Sequence, residues 1–217
     1  MRQRVGAVVI ALGLLLQGCA TLRGRVDTSA GQVRAYEGRV VALRVGASEP
    51  EALDLDSKLF VGDVVRTQEK SRCRIALRDG TLITLGERSE LEIRESAAAA
   101  AAGPQSIRRL VLKVATGLLK LVSFAFPGAG IAVEVLTALA SFTFSGTEGI
   151  VEVTPTQVSA LNLAGTVRAV SLQEGIPGGV VLLPGEGTNI ELGKAPSLPS
   201  RWPAARVEKV TEATYLP

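Results

Sequence analysis

Ser71-Arg72-Cys73-Arg74-Ile75-Ala76-Leu77-Arg78-Asp79-Gly80-Thr81-Leu82-Ile83-Thr84-Leu85 is the stretch that decides the fold. Over residues 71–77 the side chains alternate. Cys73, Ile75 and Leu77 fall on one face and Arg72, Arg74 and Ala76 on the other, which is the period of a strand with one buried face. Asp79-Gly80 separates this run from a second apolar one. Asp-Gly in that position predicts a two-residue hairpin of type I′, because both central residues of such a turn need positive φ. A free cysteine is among the most often buried residues, so Cys73 is expected as a packed core thiol.

The same rhythm continues on both sides. Glu90-Leu91-Glu92-Ile93-Arg94 alternates cleanly, and its outward Glu90 and Glu92 are expected to pair across strands with Arg72 and Arg74. Upstream, residues 39–45 read as a strand, 47–56 as an acidic loop, and Gly62-Asp63 as the turn into Val64-Val65-Arg66. Downstream, short strands are expected over 149–153, 156–163, 166–172, 180–183 and 188–192, with Gly or Pro at each junction. This spacing implies an all-β fold of many short antiparallel strands in a sandwich, roll or short solenoid.

Three places invite short helices. The six alanines of 97–102 read as a single helical turn or as a linker between halves, being too few to hold a helix alone. Residues 107–147 are strongly apolar, but Lys113, Lys120 and Glu134 divide them, and the longest uncharged stretches have 13 residues. That is short of the roughly 18 expected for a spanning helix. A hairpin of 110–115 and 118–122 around Thr116-Gly117 is the first reading there, with an amphipathic helix over 131–141 as its rival. Residues 204–213 are expected to form a short helix that packs Trp202, the only tryptophan, back onto the sheet.

Composition excludes much chemistry. Of 217 residues 47% are hydrophobic but only 4% aromatic, so the core must be aliphatic. Histidine is absent, which removes the commonest general base and metal ligand, and two cysteines cannot build a thiolate cluster. No catalytic residue, metal or cofactor is expected. Among the acids, Glu134, Glu148 and Glu152 are the candidates for a carboxylate pair, although their spacing reads more simply as outward strand positions.

The first residues carry an export signal. Arg2 and Arg4 precede an apolar run from Val5 to Leu16, too short to span a bilayer. Leu16-Gln17-Gly18-Cys19 then resembles the lipobox of bacterial lipoproteins. That resemblance implies cleavage between Gly18 and Cys19, a diacylglyceryl group on the Cys19 sulfur and a fatty acyl chain such as palmitate on the new amino terminus. Ala20, in place of an inner-membrane retention aspartate, implies the outer membrane with the body facing the periplasm. Loss of 1–18 removes Arg2 and Arg4, leaving 22 basic against 21 acidic side chains. A body so nearly neutral lacks the charge excess of a nucleic-acid binder. The expected organisation is a signal peptide (1–18), a lipidated tether (19–35), a β domain (36–195) and a C-terminal tail (196–217).

The order of turn motifs resembles the FecR domain, a β-rich module of bacterial envelope proteins. Gly38-Arg39-Val40 matches its opening strand, Gly62-Asp63-Val64-Val65-Arg66-Thr67 its Gly-Asp turn, and Ile75 to Thr81 its strand ending in Asp-Gly-Thr. Ser89-Glu90-Leu91-Glu92-Ile93 matches a following short strand. Gly146-Thr147 with Gly149 to Val153, and Val180 to Gly187, match its later turn and closing hairpin. The resemblance implies structural roles for Gly62, Asp63, Asp79, Gly80, Gly146 and Thr147. It also implies an envelope module that binds a protein or an envelope polymer. The expectation is therefore a non-catalytic, lipid-anchored interaction, sensing or scaffold protein; the alternative is a polysaccharide-binding or glycan-processing one. A pore-forming role for 107–147 ranks last.

Overall fold

The computed structural model describes residues 29–95, 110–123 and 132–217. Gly18, Cys19 and the alanines of 97–102 lie outside the described residues. In chain order the strands are β1 (Gly31–Glu37), β2 (Val40–Leu43), β3 (Glu51–Ala52), β4 (Lys58–Leu59), β5 (Val64–Thr67), β6 (Arg72–Leu77), β7 (Leu82–Leu85), β8 (Glu90–Glu95), β9 (Leu110–Val122), β10 (Ala132–Leu136), β11 (Ala140–Val153), β12 (Gln157–Ser171), β13 (Gly179–Leu182), β14 (Glu186–Glu191) and β15 (Ser200–Arg201). Helix α1 (Ala204–Ala213) follows them. The all-β expectation holds.

The ladders sort these strands into two layers. The first runs β3-β2-β5-β8, then the early part of β9, β10, the early part of β11, the late part of β12, and β13. The second runs β4-β1-β6-β7, then the late part of β9, the late part of β11, the early part of β12, β14 and β15. Strands β9, β11 and β12 therefore belong to both layers. One continuous core lies between them, with Val65, Leu91, Ile93, Leu112, Val135, Phe142 and Val167 from the first layer meeting Val33, Ile75, Ile83, Leu119, Val151, Val158 and Ile190 from the second. Cys73 is fully buried in this core, as its alternation predicts.

Shared strands need a change of direction. β9 makes it at Gly117 (φ +99°), where a Cβ would collide with the backbone and side chain of Ser89. β11 and β12 make it together at Gly146 (φ +58°) and Gly165 (φ +77°), and a Cβ on Gly165 would press on the Gly146 carbonyl. Only glycine takes these conformations without strain, and here it also supplies the room.

Several expectations are corrected. Residues 110–122 form no hairpin but the single strand β9, because Thr116-Gly117 bends the chain between layers instead of reversing it. The helix considered for 131–141 is replaced by β10 and the start of β11, whose alternating burial is that of strands. The tether expected over 19–35 ends early, since β1 begins at Gly31 and pairs with β6. The Asp79-Gly80 turn has three loop residues, not two: Leu77 N–H bonds the Thr81 carbonyl (2.8 Å), Gly80 N–H bonds the Leu77 carbonyl (3.0 Å), and φ is positive at Gly80 alone. This is a type I turn closed by a left-handed glycine, not type I′. Asp79 accepts a bond from Thr81 N–H (2.9 Å).

Within the expected tail of 196–217 lies the short strand β15, and α1 occupies 204–213 as predicted. Alanines at the start favour helix, and Pro203 stands at the N-cap with no side-chain cap. Ten residues do not sustain a helix alone, so packing holds it. Trp202, Val207 and Val210 lie against Leu118, Ile150, Leu161 and Leu163 on the outer face of the second layer.

Two measurements check this packing. Gly117→Ala lowers stability by more than about 2 kcal/mol, whereas Gly80→Ala, whose Cβ would meet open space, costs about 1 kcal/mol, compared by urea denaturation. Burial pushes the Cys73 thiol up to about 12. In a Cys19→Ser chain at pH 8, Cys73 therefore reacts with a maleimide roughly a hundredfold more slowly in the folded than in the urea-unfolded protein.

Candidate interaction surface

The two outer faces of the sandwich differ. The second layer is covered by the C-terminal segment, which the arginines of β6 hold in place. Arg72 Nε donates to the Ala213 carbonyl (3.1 Å), and the Arg74 guanidinium donates to the Leu216 carbonyl. Arg206 lies over the Trp202 ring, 3.5 Å from its centroid, and donates to Glu152 (3.3 Å) and to Asn189 Oδ1 (3.3 Å). Trp202 needs a glycine beneath it, for a Cβ on Gly187 would strike its indole.

This arrangement corrects the expected cross-strand pairs. Glu90 pairs with Arg66 (2.7 Å) and Glu92 with Arg94 (2.7 Å), because β8 lies between β5 and β9 and not beside β6. The hydrogen bond from Arg94 holds the Glu92 carboxyl below its usual value. Arg72 pairs with Glu37 (2.8 Å) in addition to clasping the tail. The alternation showed that these arginines face outward; it held no signal for what would lie over them.

The first layer ends in an open margin. β13 pairs with β12 on one side, and among the described residues no strand pairs with its other side. Ser171 N–H bonds the Gly178 carbonyl (2.9 Å). Antiparallel alternation from that bond turns the Gly179 and Val181 peptide groups away from β12. Val181, Leu172 and Leu183 are more than half exposed along this margin. Arg168, Gly179, Val180 and Val181 line a depression of about 350 Å3 there. Unpaired peptide groups beside exposed aliphatic side chains suit an added extended chain.

The turn residues predicted from sequence occupy two places. Gly62 (φ +93°) and Asp63 link β4 in the second layer to β5 in the first, near Asp79 and Gly80 at one end of the sandwich. Buried Asp63 accepts from Phe60 N–H (2.8 Å) and from the Arg44 guanidinium, which Glu51 also holds. Burial lowers the Arg44 value, but the bonds to Glu51 and Asp63 outweigh it and leave it raised. Gly146 and buried Thr147 sit at the β11 bend instead.

The candidate acids are kept apart. Glu134 is on the outer face of the first layer, whereas Glu148 and Glu152 are on that of the second, with the core between them. Glu148 pairs with Lys120 (2.7 Å) and Glu152 with Arg206. Among the described residues no group of acids or cysteines has the arrangement of a metal site, and no helix is long and apolar enough to cross a membrane.

Comparison with known proteins agrees with the turn motifs from Asp63 to Val153, while Gly38 to Val40, Gly62 and Val180 to Gly187 lie outside the matched span. Residues 63–168 match the FecR protein family. The central part of the chain is FecR-like. Two crystal structures of a Parabacteroides distasonis ATCC 8503 protein described as a "putative anti-sigma factor", at 1.65 and 2.50 Å, resemble this fold with a TM-score of 0.51 and 15% identity. The likeness covers 67% of this chain and 62% of that one, so the chain spans under two thirds of its length, and at this identity it concerns the fold alone. No curated protein matches the chain. The FecR-like span runs from Asp63 into β12 and includes Arg168 on the open margin, while the clasped tail lies beyond it.

The clasp has a direct test. With Arg72 and Arg74 both changed to Ala, amide hydrogen exchange over 204–216 speeds up at least tenfold, while β11 and β12 keep their protection. Equal protection in both proteins would show that the apolar contacts of Trp202 and Val210 suffice.

Proposed function

We infer that this chain is a non-catalytic, lipid-anchored envelope module. Acyl chains on Cys19 hold it at the outer membrane on the periplasmic side, and its FecR-like sandwich binds a protein partner along β13. The observation that carries the reading is the open β13 margin in a chain whose centre matches the FecR family. Main-chain hydrogen bonds along such an edge supply affinity, and the depression beside Val181 supplies selectivity for a side chain. The description of the Parabacteroides protein as an anti-sigma factor supports a regulatory rather than a catalytic use of the fold. The separation of Glu134 from Glu148 and Glu152 supports the same view, since glycoside hydrolysis needs two carboxyl groups flanking one bond.

Two experiments test the parts separately. Labelled palmitate enters the wild-type chain and not Cys19→Ser. A photo-crosslinking amino acid at position 181 of the lipidated protein, irradiated in intact cells, yields a discrete adduct. The same group at position 208, on the exposed side of α1, yields none. Equal yields at the two positions, or none at 181, would refute the β13 assignment, and a polydisperse ladder at 181 would replace the protein partner with an envelope polymer.

A further inference from the structure

The chain enters the sandwich at a particular end. Ala30 N–H bonds the Leu59 carbonyl (2.7 Å), Gly31 pairs with Leu59 on one side and Leu77 on the other, and the Arg78 guanidinium donates to the Ser29 carbonyl. Residue 29 therefore leaves the fold beside the 60–62 turn and the 78–80 turn. The 44–46 turn is at the same end, because β2 finishes at Leu43 opposite Val64, the first residue after Gly62-Asp63.

Two of the turns at this end, 44–46 and 60–62, carry exposed apolar side chains, while the 78–80 turn is polar. Val45 is 71% exposed, Phe60 39% and Val61 40%. They form one cluster: a Cβ on Gly62 would touch the Val45 side chain, and the Arg44 guanidinium lies 5.8 Å from the centroid of the Phe60 ring. The charge beneath them is neutralised, since Arg44 is engaged by buried Asp63 and by Glu51. The opposite end carries polar turns together with two exposed leucines. Arg88 pairs with Glu69 (3.2 Å), residues 154–156 are Thr-Pro-Thr, and Leu172 and Leu192 are the large exposed apolar residues beside them.

We propose that Val45, Phe60 and Val61 form a membrane-facing tip that rests in the lipid headgroup region when the chain is anchored. This rests on the reading of Cys19 as the lipidated residue. Nine residues separate Cys19 from Ser29, so the entry point of β1 lies within roughly 35 Å of the anchor even at full stretch. The attachment point lies at the end that carries residue 29, so the tether draws this end toward the bilayer, and exposed apolar side chains on neighbouring turns suit the headgroup interface. Lipid is the occupant because the anchor fixes which end lies next to it. It also leaves β13 open along the flank of the sandwich for a partner.

The test uses full-length lipidated protein in vesicles of phosphatidylethanolamine and phosphatidylglycerol, 3:1. An environment-sensitive fluorophore is placed on Val61→Cys or, at the far end, on Thr156→Cys; buried Cys73 stays unlabelled under native conditions. Quenching by lipids carrying a nitroxide near the headgroup is expected to be at least threefold stronger at 61 than at 156. Adding Phe60→Asp and Val45→Asp to Val61→Cys reduces it to the level at 156 without releasing protein from the vesicles. Equal quenching at 61 and 156, with palmitate on Cys19, overturns this proposal and leaves the anchor standing. Failure of palmitate to enter Cys19 overturns the anchor and the proposal together. A tip that is shielded only when envelope protein is added, and never quenched by lipid, assigns it to a protein partner and overturns the lipid contact.

Discussion

Both layers of the sandwich share the strands β9, β11 and β12, and the bends in those three strands are the constraint on which the rest depends. A strand can pass from one layer to the other only if its backbone turns sharply while its inward side chains stay inward. Gly117 and the facing pair Gly146 and Gly165 do this with positive φ and no side chain. A side chain at Gly117 would meet Ser89, and one at Gly165 would meet the opposing strand. Because the bends are shared, three continuous strands run through both layers, and a core nearly free of aromatic bulk fills the space between them. Phe142 and Phe144, the largest side chains in it, both come from β11.

The bends also determine what each outer face becomes. They send the late part of β11 and the early part of β12 into the second layer, where Ile150 and Leu161 form an apolar strip facing outward. That strip must be covered, and Trp202 with α1 covers it. Burial of the indole and of Val210 supplies most of the stabilisation. The Arg206–Glu152 pair is partly exposed and contributes less than about 1 kcal/mol, so it orients the helix more than it holds it. In the first layer the same bends carry the late part of β12 to the margin, where β13 is its last partner.

The three candidate acids are held on opposite faces or in ion pairs, and what the fold presents outward is a set of surfaces. Its surfaces are also unequal. One face is clasped by its own tail, the β13 margin sets unpaired peptide groups beside exposed aliphatic side chains, and one end gathers Val45, Phe60 and Val61 beside the point where the chain enters the fold. On the function proposed above, this division would separate a place for attachment from a place for recognition.

Local pattern alone determined a good deal. Alternation of Cys73, Ile75 and Leu77 specified a half-buried strand, glycines and Asp79 marked the turns, and the Ala-rich stretch after Pro203 specified a ten-residue helix. Each of these depends on the period of side chains along a few residues or on the φ a residue tolerates. Tertiary structure decided what such periods do not encode. Thr116-Gly117 reads equally as a reversal or a bend, and only Ser89 across the ladder makes it a bend. Residues 131–141 suit a helix or strands, and the vacant edges of β9 and β12 draw them into strands. Arg72 and Arg74 face outward in either reading, but it is the distant tail that takes them, because hydrogen bonds between residues some 140 positions apart follow from how the layers stack and leave no trace in the local sequence.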